Sequence, residues 1–89
     1  PTPSGSYRMK EMLTRYISQE LLSGRKPGGI SEEEELLLSG LLDSLGIMQL
    51  VAFIEDELDV GVPPEDVTIE NFRSVRMIHD YLERRGIPE

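Results

Sequence analysis

The run from Leu41 to Leu58, LLDSLGIMQLVAFIEDEL, constrains this chain more than any other. Its residues Ile47, Leu50, Val51, Ile54 and Leu58 recur at three- and four-residue steps, which gathers them on one stripe of an α-helix and scatters them over both faces of a strand. A helix over 44–58 with that stripe buried is therefore expected. Leu45, Met48 and Ala52 fall on another face and form a second apolar strip suited to a partner. Asp43 is placed as the N-cap, its carboxylate accepting from free backbone N–H groups, so Ser44 lies in the first turn beside the positive end of the helix dipole. An anionic ester on its hydroxyl is favoured at such a position. The plain alternative is that Asp43 and Ser44 are ordinary helix-start residues and nothing more.

The charge is concentrated around that serine. Residues 27–72 hold twelve Asp and Glu and no Lys or Arg, whereas 1–26 hold five bases against two acids and 73–89 four against three. The net charge of −8 is thus an acidic middle between basic ends. A field of this sign repels nucleic acid and anionic lipid and steers basic protein surfaces inward, although charge runs also serve simply to solvate a small domain. The chain has no cysteine. Disulfides and thiolate metal sites are excluded, and any thiol the function needs must arrive on a prosthetic group. No apolar run approaches membrane-spanning length, and PTPSGSY has neither a basic n-region nor an apolar h-region, so a cytosolic protein that does not enter membranes is expected. At 89 residues and 38% hydrophobic content one small helical core is expected.

In chain order, residues 1–6 read as a disordered lead-in or an expression remnant, 7–85 as the domain and 86–89 as a tail. Met9, Met12, Leu13, Tyr16, Ile17 and Leu21 keep helical spacing and predict a first helix over 7–22, capped by Ser6 and stopped by Gly24. A long loop follows. Within it Ser31 and Glu34 form a capping-box pattern that predicts a short helical turn through Leu38, with Leu36–Leu38 and Leu41–Leu42 as anchors. The four glutamates 32–35 point around such a turn rather than at one calcium ion and read as solvated charge. Asp59–Asp66 turns the chain without the alternating acids of an EF-hand. Thr68 caps a short helix, 68–72, whose Val67, Ile69 and Phe72 are expected over the lower part of the serine helix. Ser74 caps a last helix, 75–85, with Val75, Ile78, Tyr81 and Leu82 on one face; Arg84 and Arg85 suit its negative end, and Gly86 and Pro88 end it. His79, the only histidine, lies next to that face and reads as a satisfied or solvent-facing side chain. No nucleophile and base pattern and no phosphate loop assemble a catalytic site.

Gly40-Leu41-Leu42-Asp43-Ser44-Leu45-Gly46, followed by Gln49-Leu50-Val51, resembles the phosphopantetheine site of acyl and peptidyl carrier proteins. Val62-Pro63 and then Glu70-Asn71-Phe72-Arg73-Ser74-Val75 are similar to the approach to that family's third and fourth helices, in register, so the resemblance runs from about residue 30 to 85. It implies an all-α four-helix bundle, three longer helices and one short, with a long loop between helices 1 and 2. It also implies a monomeric carrier that is not an enzyme and holds no metal. By the resemblance, Ser44 receives 4′-phosphopantetheine from coenzyme A through a phosphopantetheinyl transferase, flanked by Asp43 and Leu45, and then holds an acyl or aminoacyl thioester. Met48, Ala52, Glu55 and Asp56 complete the implied docking face. The implied partners are an adenylating ligase or acyltransferase that loads the arm and condensing or tailoring enzymes that unload it. Gly46 and Gln49 stand where fatty-acid carriers usually have acids, which inclines the resemblance toward discrete carriers of nonribosomal peptide or polyketide pathways. A fatty-acid carrier and a non-carrier module that docks a partner helix on Leu45, Met48 and Ala52 are the alternatives. Ile54, Val62, Ile69 and Phe72 are expected to line the gap between the serine helix and the short helix and to leave it filled.

Overall fold

The structure is a computed structural model that describes residues 5–23 and 29–86. Among these the chain is all helical, with no strand. Helix α1 (Gly5–Tyr16) runs on as a π-helical turn, Ile17–Leu21. Helix α2 is Ser44–Leu58, α3 is Ile69–Phe72 and α4 is Val75–Arg84, with a 3₁₀ turn at Pro64–Asp66 before α3. α1 packs against α4, its π turn against α2, and α3 against α4.

The helix starts follow from local chemistry. Asp43 Oδ1 accepts from the Gly46 N–H at 2.8 Å, Thr68 Oγ1 from Asn71 and Ser74 Oγ from Met77, both at 3.2 Å. Each cap has extended backbone and satisfies one of the amides that a helix leaves without an internal acceptor. The stripe of α2 is buried as its period requires: Ile47, Leu50 and Ile54 are in the core, with Val51 and Leu58 half-buried against it.

Two expectations about α1 need correction. It begins at Gly5, so Gly5 and Ser6 are helical and Ser6 lies inside the helix rather than capping it. The expected stop, Gly24, and the tail residue Pro88 lie outside the described residues. At the other end the period breaks: the Leu22 N–H donates to the Ile17 carbonyl at 2.8 Å, five residues back. The extra residue in that turn rotates Leu22 into the core in place of Leu21, which stays half-buried.

The capping-box pattern at Ser31 does not start a helix. The Glu34 N–H meets the Ser31 backbone carbonyl at 3.2 Å in a single turn, and residues 31–42 then run as a strap across the α3–α4 junction. Tertiary acceptors replace helical ones. Leu36 N–H donates to Arg73 O at 2.7 Å, and Arg76 N–H donates to Glu32 O at 2.9 Å. The glutamates are not simply solvated: Glu32 pairs with Lys10 at 3.0 Å, Glu33 with Arg76 at 2.7 Å and Glu35 with Arg73 at 2.8 Å. Leu36 and Leu42 anchor the strap in the core, Leu37 and Leu41 are half-buried, and Leu38 is exposed.

The α2–α3 connection is tied from both sides. Asp59 ends α2 in the left-handed conformation, and Glu55 Oε2 accepts from the Val62 N–H at 2.8 Å. The Tyr81 hydroxyl donates to Asp66 Oδ2 at 2.6 Å, and Arg85 Nη1 donates to the Gly61 carbonyl. Burial, then the Asp66 bond, pushes the Tyr81 phenol above its ordinary value. His79 is buried rather than solvent-facing, with Nδ1 3.4 Å from Asp80 Oδ1.

Candidate functional site

Ser44 is the first residue of a fifteen-residue helix and is exposed, with its backbone held by the extended Asp43 before it. Because Gly46 N–H is taken by the Asp43 carboxylate and Ile47 N–H, at 2.9 Å, by the Asp43 carbonyl, the amides without an internal acceptor are those of Ser44 and Leu45 themselves. Their partial positive charge belongs to the helix end that Ser44 opens, where an anionic group is favoured. Gly46 lies directly under the cap: a Cβ there would meet Asp43 Oδ1 and Leu42 Cδ2 at 3.4 Å, ordinary contact, so its bareness is not forced by space.

An open groove of about 530 Å³ lies against the serine. One wall is the strap, through Leu37 and Leu42; the facing wall is Val67, Thr68 and Ile69; the floor is α2 through Ile47 and Met48. This corrects the expected position of the α3 segment. Val67 and Ile69 reach the serine end of α2 rather than its lower part, and Ile69 is 52% exposed instead of filling the core. Ile54, Val62 and Phe72, the other residues expected in that gap, are buried.

The second apolar strip of α2 is real. Leu45 and Met48 are 64% and 69% exposed, and Ala52 is exposed one turn on. With Ile69 they give the serine an apolar surround of exposed side chains, while Asp56 adds an exposed acid farther along the helix. Glu55, expected beside Asp56 on the docking face, is half-buried and occupied by Val62 N–H. Charge reversal therefore separates the two. Glu55→Lys is expected to cost about 1.5–3 kcal/mol by stripping a charged acceptor from a part-buried amide, whereas Asp56→Lys stays within about 0.5 kcal/mol of wild type in denaturant unfolding. Any slowing of partner association that fades with added salt belongs to Asp56→Lys. On α4, His79, Asp80 and Glu83 bring possible ligand atoms within 4.8 Å of one another, but the buried His79 already faces Asp80, and the group reads as a hydrogen-bonded helix cluster.

Residues 15–82 match the family model described as the phosphopantetheine attachment site. This chain belongs to that family. The chain is also 33% identical over 63 residues to an acyl carrier protein of Bdellovibrio bacteriovorus, a match that covers 71% of this chain and 78% of the relative. It is a carrier protein and takes a covalently attached 4′-phosphopantetheine. The residues present suit that group: an exposed hydroxyl at a helix start for the phosphate, a groove with apolar walls beside it, and no thiol elsewhere in the chain to compete. When bound, the group supplies the thiol on which an acyl thioester is held. No described helix is long and apolar enough to cross a membrane.

The groove walls were not anticipated as a site. The sequence marks these residues only for structural parts, Leu37 and Leu42 as anchors of the long loop, Val67 as an apolar cover for the serine helix and Thr68 as a cap, and nothing in that pattern points to a groove.

Proposed function

We propose that Ser44 Oγ is the attachment oxygen, flanked by Asp43 and Leu45, and that the protein presents acyl or aminoacyl thioesters to the enzymes of a nonribosomal peptide or polyketide type pathway. The exposure of Ser44 at the first turn of α2, on the lip of the groove, carries the assignment. Asp43 holds the helix start, Leu45, Met48 and Ala52 meet the partner, and Asp56 adds charge complementarity for a basic surface. A phosphopantetheinyl transferase, a loading ligase or acyltransferase and a condensing or tailoring enzyme are the successive partners. A tethered cargo reaches each at high effective concentration, and the carrier itself performs no chemistry on it. The setting is the cytoplasm.

The pathway class is supported by the serine's surroundings, because Leu45, Gly46, Met48 and Gln49 place no acid on the first two turns of α2. The groove favours a second reading, a carrier for fatty-acid synthesis, since an apolar chain lying between Leu37 and Ile69 would gain roughly 0.8 kcal/mol per buried CH₂. Incubation with coenzyme A and a broad-specificity transferase, read by intact mass and by mapping the adduct to Ser44, tests the attachment. Amide shifts of octanoyl- and aminoacyl-loaded protein then separate the pathways. Changes confined to the neighbours of Ser44 with both cargoes are expected; octanoyl shifts spreading through Leu37, Val67 and Ile69 and on to Ile54 and Phe72 would favour the fatty-acid reading.

A further inference from the structure

The two walls of the serine groove come from distant parts of the chain, and the Glu35–Arg73 ion pair with its backbone bond joins them next to α3, while Glu33 and Glu32 tie the strap to Arg76 farther on, in α4. Glu35 Oε2 accepts from Arg73 Nε at 2.9 Å and Nη2 at 2.8 Å, while the Arg73 carbonyl accepts from Leu36 N–H at 2.7 Å. Leu36 is fully buried and its carbonyl accepts from Leu42 N–H at 2.9 Å, so the position of Leu36 sets where Leu37 and Leu42 stand. Arg73 directly follows α3, whose cap Thr68 and first residue Ile69 form the facing wall. The other oxygen, Glu35 Oε1, is buried and has no hydrogen bond among the described residues, so on the side of the carboxylate turned from solvent Arg73 is the charge that offsets it. Residues 27–72 contain no base, and the cation has to be brought from beyond the strap.

We infer that Arg73 and Glu35 are positioning residues for loading at Ser44: the pair clamps the strap to the α3 wall, so that both sides of the groove are presented to the transferase as one surface. The inference rests on Ser44 being the attachment oxygen. Neither side chain touches the reacting hydroxyl; each acts through Leu36 and α3. Releasing the pair leaves the strap held by the Leu36 backbone bond and by Arg76 but loosens its register against α3, which weakens recognition of the bare protein without altering the hydroxyl that reacts. Because both Arg73 donors meet the same oxygen, one ammonium can replace them, and Arg73→Lys retains the clamp.

The test compares Arg73→Gln, Glu35→Gln and Arg73→Lys with wild type. In the bare proteins, amide shifts at Leu37, Leu42, Thr68 and Ile69 together are expected for both Gln variants and not for Arg73→Lys. With coenzyme A saturating, KM for the carrier in the transferase reaction is expected to rise on the order of fivefold in both Gln variants, the ceiling for a pair of this exposure, with kcat unchanged and Arg73→Lys close to wild type. Shifts confined to the immediate neighbours of positions 35 and 73, or an unchanged KM, overturn the clamp. If Arg73→Gln does not fold, Glu35→Gln gives the same readouts and leaves the arginine free to reach water. Failure of wild type to load at Ser44 would sink the functional reading instead, and the amide shifts of the bare proteins would still decide whether the walls are coupled.

Discussion

Ser44→Ala is expected to abolish loading by the transferase while leaving unfolding free energy within about 0.5 kcal/mol of wild type. The two halves of that result have separate causes. The serine is exposed at the first helical position, and the cap that holds the helix start is Asp43, whose bond to Gly46 N–H survives the substitution. Alanine is the better helix former by a few tenths of a kcal/mol, so a small gain is as consistent as no change. The loss of loading is expected to be complete because, among the described side chains, no other serine is an exposed hydroxyl at a helix start. Ser74 is buried and caps α4, and the Ser39 hydroxyl donates to the Glu35 carbonyl in the strap. Intact mass after incubation with coenzyme A and transferase, beside a denaturant titration of the same sample, reads both halves. An adduct that persists and maps to another serine would move the site, and a variant that unfolds would show that Ser44 is needed by the fold rather than by the reaction.

What the sequence made legible was what local rules decide. The bounds of α2 follow from a capped, periodic run and match the expected 44–58, and the caps Asp43, Thr68 and Ser74 each make the bond their position implies. The failures have physical sources. A 3.6-residue period cannot foresee a π turn, so Leu21 was expected where Leu22 is buried. Ser31 and Glu34 have the pattern of a capping box, but Leu36 N–H and Glu32 O have partners on the far side of the fold that an isolated turn could not supply, and tertiary bonds override the local signal. Ile69 misled because a four-residue helix has too few positions to define a phase. Glu55 shows the same limit at the site: its place off the buried stripe says nothing about the Val62 amide that the returning loop brings to it. The helix start that carries Ser44 was therefore legible and the groove beside it was not, because that start belongs to one helix while the walls belong to a strap and a turn that only the fold brings together.

That dependence sets the size of the effect expected for Phe72→Ala, a loss of about 3–5 kcal/mol, a large share of the roughly 5–15 kcal/mol by which a domain is stable. Phe72 is fully buried, and its ring lies tilted against Tyr81 with centroids 5.8 Å apart. It is also what holds α3 in place. Four residues cannot sustain a helix alone, and the Thr68 cap and the bond from Phe72 N–H to Thr68 O at 3.0 Å last only while the aromatic ring is packed. Truncation therefore releases α3 before the rest of the bundle, and with it the Thr68 and Ile69 wall of the groove. Two readouts are expected to move together: the denaturant midpoint falls, and amides of Asn71 and Phe72 exchange faster than those of Leu50 and Ile54, which stay locked in α2. Loading of Ser44 should then drop even where most of the chain remains folded, because the hydroxyl is intact but one wall beside it is gone. A uniform rise in exchange across α2 and α3, with loading falling only in proportion to the unfolded fraction, would show instead that Phe72 supports the whole core and that the groove has no separate dependence on α3.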